Sequence, residues 1–212
     1  MAGNIIIVGC GPGSAEYVTP AALRAVAGAQ VLVGAERLLA LFPSVDAERI
    51  VVKADIEDIV DQIAVKARES NVTVLVSGDP GVFSLAGRVI ERFGRHACEV
   101  IPGVSSVQTA FARIGLDWAD ARIISAHKEN PASKIADSLR DEDKIAVLAG
   151  RPGAIQWIVN IAEELGQDRR IFVCEDLTLE TEQIREIGLE DLTGLEAGSR
   201  TILLIIKRNL VE

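Results

Sequence analysis

Residues 72–84 read Val-Thr-Val-Leu-Val-Ser-Gly-Asp-Pro-Gly-Val-Phe-Ser, and this stretch decides the fold class. Its first five residues are apolar or β-branched, which predicts a buried strand. Residues 78–81 then break the strand with turn chemistry, and Ser84 is placed to cap a following helix. Ligands bind at the carboxyl ends of the strands in an open α/β sheet. Asp79 is therefore either a ligand contact or an ordinary turn former.

The same strand and glycine-loop pattern occurs on both sides of this stretch. Residues 4–8 predict a short apolar strand, followed by the loop Gly-Cys-Gly-Pro-Gly-Ser at 9–14. Residues 97–101 predict another strand, followed by Pro-Gly-Val-Ser-Ser at 102–106. Because strands and helices alternate in this half of the chain, we predict a parallel sheet covered by helices.

The second half of the chain departs from this alternation. A short break at 116–120 precedes two further strand patterns, which are separated by a helix pattern that ends at Leu139. Three more strand patterns then follow with little helix between them, at 170–174, 183–187 and 201–207. We predict a two-domain α/β fold, with a parallel first sheet at 1–115 and a mixed second sheet at 116–212, and a cleft between the domains.

Composition excludes several classes of function. The net charge of −9, from 31 acidic and 22 basic residues, argues against nucleic acid or an anionic membrane as the main partner. Three widely spaced cysteines lack the spacing of a zinc site or a disulfide framework, so we expect no metal and a cytoplasmic protein. No basic leader precedes the first strand and no apolar run reaches ~18 residues, so we expect no signal peptide or membrane span.

The first glycine loop also suggests a dinucleotide-binding enzyme. Glu36 after the second strand pattern matches the acid that binds the ribose in such enzymes. The loop has Ser14 where the fingerprint needs its last glycine, and Pro12 lacks the N–H that a pyrophosphate would need. The next helix opens only at Thr19. A dinucleotide-dependent oxidoreductase is the less favoured alternative.

Three loops taken together, at 8–14, 77–84 and 101–106, resemble those of the tetrapyrrole methylases, which use S-adenosylmethionine. In the second half, residues 147–153 and 173–178, with Glu182 and Gln183, look like the branch that methylates carbon 5 of cobalt-precorrin-7 or metal-free precorrin-7 in cobalamin synthesis. The resemblance implies a kidney-shaped pair of α/β domains, a cofactor folded in the cleft, S-adenosylhomocysteine as product, and a homodimer.

The resemblance also assigns the cofactor contacts, and simple electrostatics agrees with most of them. A sulfonium carries a fixed positive charge, which favours a nearby carboxylate such as Asp79, so we expect Asp79→Ala to weaken cofactor binding more than folding. A helix that begins near Ser105 offers free N–H groups. The assigned contacts are Pro12, Gly78, Asp79, Val82, Ser105, Ser106 and Ala149.

No catalytic residue is assigned, and each candidate keeps a structural alternative. Residues 125–130 depart from the family's Ser-x-His-Gly-Arg, so His127 is either a catalyst or a loop residue. Glu36 and Lys53 occupy places comparable to an acid and a lysine of relatives that act on uroporphyrinogen, or are a solvated turn and a surface lysine. The candidate cations for substrate carboxylates are Arg37, Lys53, Lys128 and Arg151.

The resemblance implies that one methyl group is added, at carbon 5. Because the chain ends at Glu212 directly after the last strand pattern, we expect the paired carbon-15 methylation and decarboxylation to come from a separate polypeptide, as a partner. The alternatives are another tetrapyrrole methylation, on uroporphyrinogen or another precorrin, diphthine synthesis on a protein, and a ligand-binding module without turnover.

Overall fold

The computed structural model describes residues 4–126, 135–150 and 153–211. The chain divides into two compact units, Met1–Ser105 and Ser106–Glu212. Within the described residues each unit contains a five-stranded sheet. The helix at Ser106–Arg113, which precedes the expected break at 116–120, belongs to the second unit. The domain limits 1–115 and 116–212 stay a prediction.

The first unit has a wholly parallel sheet, with the strand order β3-β2-β4-β1-β5. This confirms the predicted parallel first sheet. Its strands are β1 (Ile5–Gly9), β2 (Val31–Gly34), β3 (Glu48–Val51), β4 (Val72–Val76) and β5 (Cys98–Ile101). Its helices are α1 (Pro20–Ala27), α2 (Glu36–Leu39), α3 (Ile56–Lys66) and α4 (Ala86–Phe93), with a 3-10 turn at Ala15–Tyr17.

Local signals account for most of these boundaries. Every residue of β4 is buried, since the strand lies at the centre of the sheet between β2 and β1. The hydroxyl of Thr19 caps α1 by accepting the N–H of Ala22, and Asp55 caps α3 by accepting the N–H of Asp58. Apolar side chains on both faces of the sheet form two core clusters that hold these helices in place.

Two details of the first unit differ from the prediction. The strand β3 was not predicted, because at the edge of the sheet only Ile50 is buried and no apolar run marks the strand. The cap position of α4 is Leu85, not Ser84. Ser84 instead closes the preceding turn, where its hydroxyl donates to the carbonyl of Pro80 at 2.7 Å and accepts the N–H of Ala86 at 3.1 Å.

The second unit has a mixed sheet in the order β6-β7-β10-β8-β9, which confirms the prediction. The pair β6 and β7 is parallel and the other pairs are antiparallel. The strands are β6 (Arg122–Ser125), β7 (Lys144–Leu148), β8 (Arg169–Glu175), β9 (Gln183–Ile187) and β10 (Thr201–Lys207). The helices are α5 (Ser106–Arg113), α6 (Ile135–Leu139), α7 (Ala154–Leu165) and α8 (Leu189–Leu192), with a final 3-10 turn at Arg208–Leu210.

All three cysteines are free thiols. Cys10 and Cys174 are fully buried, and this burial raises the pKa of each thiol to about 12. Such thiols are not nucleophilic near neutral pH, so these two cysteines serve packing.

Over the described ranges no helix is long and apolar enough to cross a membrane.

Candidate functional site

The three glycine loops of the first unit meet at the carboxyl ends of its strands. All five strands are parallel, so their carboxyl ends lie on the same side of the sheet. The loops follow β4, β1 and β5, which are neighbours in the sheet. Segments that lie far apart in sequence, at 10–14, 77–85 and 102–105, are therefore brought together as the resemblance implied.

Three glycines let the backbones of these loops touch. A Cβ added to Gly9 would lie 2.6 Å from the nitrogen of Gly103 and 2.7 Å from the carbonyl oxygen of Gly78. One added to Gly103 would lie 2.4 Å from that same oxygen. Gly11 and Gly78 also exchange two backbone hydrogen bonds, of 3.3 and 2.8 Å. The loops therefore interlock through main chain alone, and no side chain fits between them.

Asp79 ties two of the loops together. Its Oδ1 accepts the N–H of Gly81 at 2.8 Å, and its Oδ2 accepts the N–H of Gly103 at 3.1 Å. A carboxylate has about four acceptor positions, so these two bonds leave capacity to face a cationic ligand. Asp79 is half-buried and holds the turn after β4 against the loop after β5, so it is more than an exposed turn former.

Phe83 is a strained residue that sequence reasoning did not single out. Its φ is 45°, in the left-handed region that bulky side chains rarely adopt, and its side chain is 59% exposed. Such strain costs about 1–3 kcal/mol and clusters at functional sites. No sequence signal predicts it, because the strain arises from the closure of the turn between Asp79 and Ser84.

The remaining predicted cofactor residues differ in burial. Pro12 is buried in the first loop, Val82 is half-buried, and Ser105 is buried just before α5. Ser106 is the first residue of α5, so it offers an N–H group that lacks a partner within the helix. Ala149, fully buried, directly follows β7.

Beside Ala149 lies a buried polar group without a partner. The N–H of Ala149 donates to the carbonyl of Thr201 at 3.0 Å. Thr201 is 2% exposed, and its hydroxyl makes no hydrogen bond to any residue that the structure describes. Buried hydroxyls are nearly always hydrogen-bonded. The edge of the second sheet thus has unused hydrogen-bonding capacity next to the position that the resemblance assigns to the cofactor.

Charged candidates lie at the same edge of the first sheet as the glycine loops. Glu36 and Arg37 open α2 at the carboxyl end of β2, and Lys53 follows β3. Their side chains are exposed. In the strand order, β2 lies next to β4, and β3 lies next to β2. The charged residues after β2 and β3 therefore lie beside the glycine loops along the carboxyl ends of the strands. His127, Lys128 and Arg151 lie outside the described residues.

The structure adds a contact in the second unit that sequence reasoning did not predict. Arg113, at the end of α5, forms an ion pair with Glu182, just before β9. The distance from Arg113 Nε to Glu182 Oε1 is 2.6 Å. The sequence carries no signal for this pair, because the partners are distant along the chain.

No group of three or more possible metal ligands occurs within the described part of the chain.

Comparison with known proteins agrees with this geometry. The family model described as Tetrapyrrole (Corrin/Porphyrin) Methylases matches residues 4–193. The cobalt-precorrin-7 C(5)-methyltransferase of Salmonella typhimurium is 33% identical over 181 residues, which are 85% of this chain and 88% of that protein.

Two crystal structures share the fold. The precorrin-6Y methylase of Archaeoglobus fulgidus has a TM-score of 0.74 at 27% identity, over 98% of this chain and 99% of that one. The uroporphyrin-III C-methyltransferase of Thermus thermophilus, complexed with S-adenosylhomocysteine, has a TM-score of 0.76 at 24% identity, over 99% and 100%. The family model and the curated relative match most of the chain's sequence, and the crystal structures share its fold over nearly its whole length. This chain belongs to the tetrapyrrole methylase family.

Proposed function

We propose that this chain is an S-adenosylmethionine-dependent methyltransferase that methylates carbon 5 of cobalt-precorrin-7 or precorrin-7 in cobalamin biosynthesis. The observation that carries the proposal is the cradle of three interlocked loops at the edge of the first sheet. The choice of carbon 5 is supported by the 33% identity to a protein of that name.

The residues present fit S-adenosylmethionine. The contacts among Gly9, Gly78 and Gly103 hold the three loops together, so that a ligand can meet all of them at the carboxyl ends of the strands. The carboxylate of Asp79 favours a positive charge nearby. In the second unit, the N–H of Ser106 lies at the start of α5, where it has no partner within the helix and can donate to polar atoms of a ligand. We assign cofactor contacts to Pro12, Gly78, Asp79, Val82, Ser105, Ser106 and Ala149.

The protein's part in the reaction is positioning. The cofactor supplies an electrophilic methyl group on a positively charged sulfur, and the electron-rich ring carbon supplies the bonding electrons. No covalent nucleophile of the protein is needed, so the chain's residues orient the ring and exclude water. Arg37 and Lys53 are exposed at the cradle edge and bind carboxylates of the substrate. Glu36, beside them, is the candidate proton acceptor.

Further features complete the proposal. We propose a homodimer, on the resemblance, and domain limits of 1–115 and 116–212, on the break at 116–120. Three free thiols fit a reducing compartment, which supports a cytoplasmic location. Light scattering at micromolar concentration tests the dimer, and a monomer there contradicts it.

The experiment that tests the function is incubation of the protein with labelled S-adenosylmethionine and either precorrin-7 or cobalt-precorrin-7. Mass analysis and NMR then locate the new methyl group. We expect one added methyl, at carbon 5, with every carboxylate retained. Methylation of uroporphyrinogen alone would replace the substrate assignment, and loss of carbon dioxide would contradict the single-methyl product.

A further inference from the structure

The turn between β8 and β9, residues 176–182, leaves the same edge of the second sheet as Ala149. Both β7 and β8 pair antiparallel with β10, so they run in the same direction. Their last residues, Leu148 and Glu175, face Ile202 and Thr201, which are consecutive residues of β10. The turn 176–182 therefore leaves the sheet one strand away from Ala149, on the other side of β10.

This turn is held in a strained shape. Asp176 has a φ of 50° and Thr178 a φ of 71°, both in the left-handed region. Thr178 is β-branched, so this conformation is a genuine outlier for it. The side chain of Leu177, between them, is 3% exposed. A strained turn persists only where the surrounding contacts fix it.

Glu182 contributes one of the contacts that hold Thr178 in this conformation. Its Oε2 accepts the backbone N–H of Thr178 at 2.5 Å. The same carboxylate receives a two-point contact from Arg113, with Nε to Oε1 at 2.6 Å and Nη2 to Oε2 at 3.2 Å. This two-point geometry aligns the carboxylate toward Thr178, since an arginine fork fixes a carboxylate in direction as well as position.

Arg113 links the turn to a second candidate ligand element. It is the last residue of α5, whose first residue is Ser106. The carboxylate of Glu182 therefore connects the helix that begins at Ser106 with the turn that follows β8. The side chains of Glu182 and Arg113 are only 20% and 34% exposed, and the arginine holds the pKa of Glu182 below its usual range. The pair is therefore ionised near neutral pH.

We propose that Glu182 is a positioning residue for methyl transfer, which fixes the turn 176–182 and α5 in the arrangement that binds S-adenosylmethionine. The inference rests on the proposed function. Without the carboxylate, the N–H of Thr178 loses this acceptor and the strained turn changes shape. The strands and the core of the second unit stay intact, because the turn lies outside them.

The test compares Glu182→Gln with a matched control, Glu186→Gln. Glu186 is likewise a carboxylate paired with an arginine, Arg170, at 3.2 Å, but it lies within β9 and farther from the turn. We expect Glu182→Gln to raise the Kd for S-adenosylhomocysteine, measured by calorimetry, about tenfold, because binding must then also restore the shape of the turn. The KM for S-adenosylmethionine should rise by a similar factor. The kcat at saturation should fall less. The control should stay within about twofold of the unchanged protein.

The outcomes separate the two proposals. If the unchanged protein binds S-adenosylhomocysteine and Glu182→Gln binds it equally well, this inference is wrong and the function stands. If the unchanged protein neither binds it nor methylates a tetrapyrrole, both are wrong. Should Glu182→Gln not fold, Arg113→Gln decides, since it frees the carboxylate without removing it. Unaltered affinity in that variant overturns the inference, and weakened affinity supports it.

Discussion

Gly103→Ala tests whether the glycine loops form one interlocked unit. The added Cβ would lie 2.4 Å from the carbonyl oxygen of Gly78 and 2.7 Å from the carbonyl carbon of Gly9. Both atoms belong to the backbone, so the clash cannot be relieved by a change of side-chain rotamer. The loops must separate, which breaks the bond from Gly103 N–H to Asp79.

The expected cost follows from these contacts. Forcing extra volume into a well-packed site costs about 1–3 kcal/mol, and backbone neighbours place Gly103→Ala at the upper end. For a chain of about this length each kcal/mol lowers Tm by about 2–4 °C. We therefore expect Tm to fall by about 5–10 °C, and affinity for S-adenosylhomocysteine to fall with it.

Gly87→Ala is the matched control. This residue lies in α4, and a Cβ there would meet nothing within 4 Å. The same substitution should then raise stability by about 0.5–1 kcal/mol, because alanine favours a helix. Thermal unfolding and calorimetry measure both variants. If Gly103→Ala melts at or above the temperature of the unchanged protein, the loops are not interlocked as described and the reasoning fails.

Three further substitutions or conditions test single residues. Asp79→Ala should cost about 1.5–3 kcal/mol of stability, because two N–H groups lose their acceptor, and should weaken S-adenosylhomocysteine binding as well; unchanged unfolding in denaturant would show that the contact is not formed. Lys53→Gln should raise the KM for the tetrapyrrole severalfold and leave cofactor affinity unchanged, which steady-state kinetics and calorimetry separate; an unaltered KM removes Lys53 from the substrate site. Glu182 has a folded-state pKa below its unfolded one, so its contribution to stability is full above the unfolded value and is lost as pH falls through the folded value. Stability measured below about pH 4.3 should therefore decline less in Glu182→Gln; equal pH profiles would contradict this.

Local patterns were enough to predict most of the fold. The buried run of β4 and the start of α1 at Thr19 are each encoded within a few residues, and the structure confirms both predictions. The alternation of strands and helices predicts that the strands of the first sheet are parallel, and the structure confirms this. The edge strand β3 was missed, because an exposed edge needs only one buried side chain, here Ile50.

The site was less predictable, because its contacts are long-range. The glycine loops were recognised one by one, but the bond from Asp79 to Gly103 depends on the strand order, which places β1 between β4 and β5. The sequence alone does not reveal this bond, so it does not predict how much Asp79 contributes to the stability of the fold. The pair of Arg113 and Glu182 joins a helix to a turn far along the chain, and charge pattern alone gives no reason to match these two residues.

The interlocked glycines separate two kinds of evolutionary change. Where Gly9, Gly78 and Gly103 meet, the shape of the cradle is set by main chain and not by side-chain identity. Under the proposed function, substitutions at the ends of β2 and β3, where Glu36 and Lys53 lie exposed, would change which ring is bound and leave the interlocked loops unchanged. Substrate choice and binding of the methyl donor would then be free to change independently.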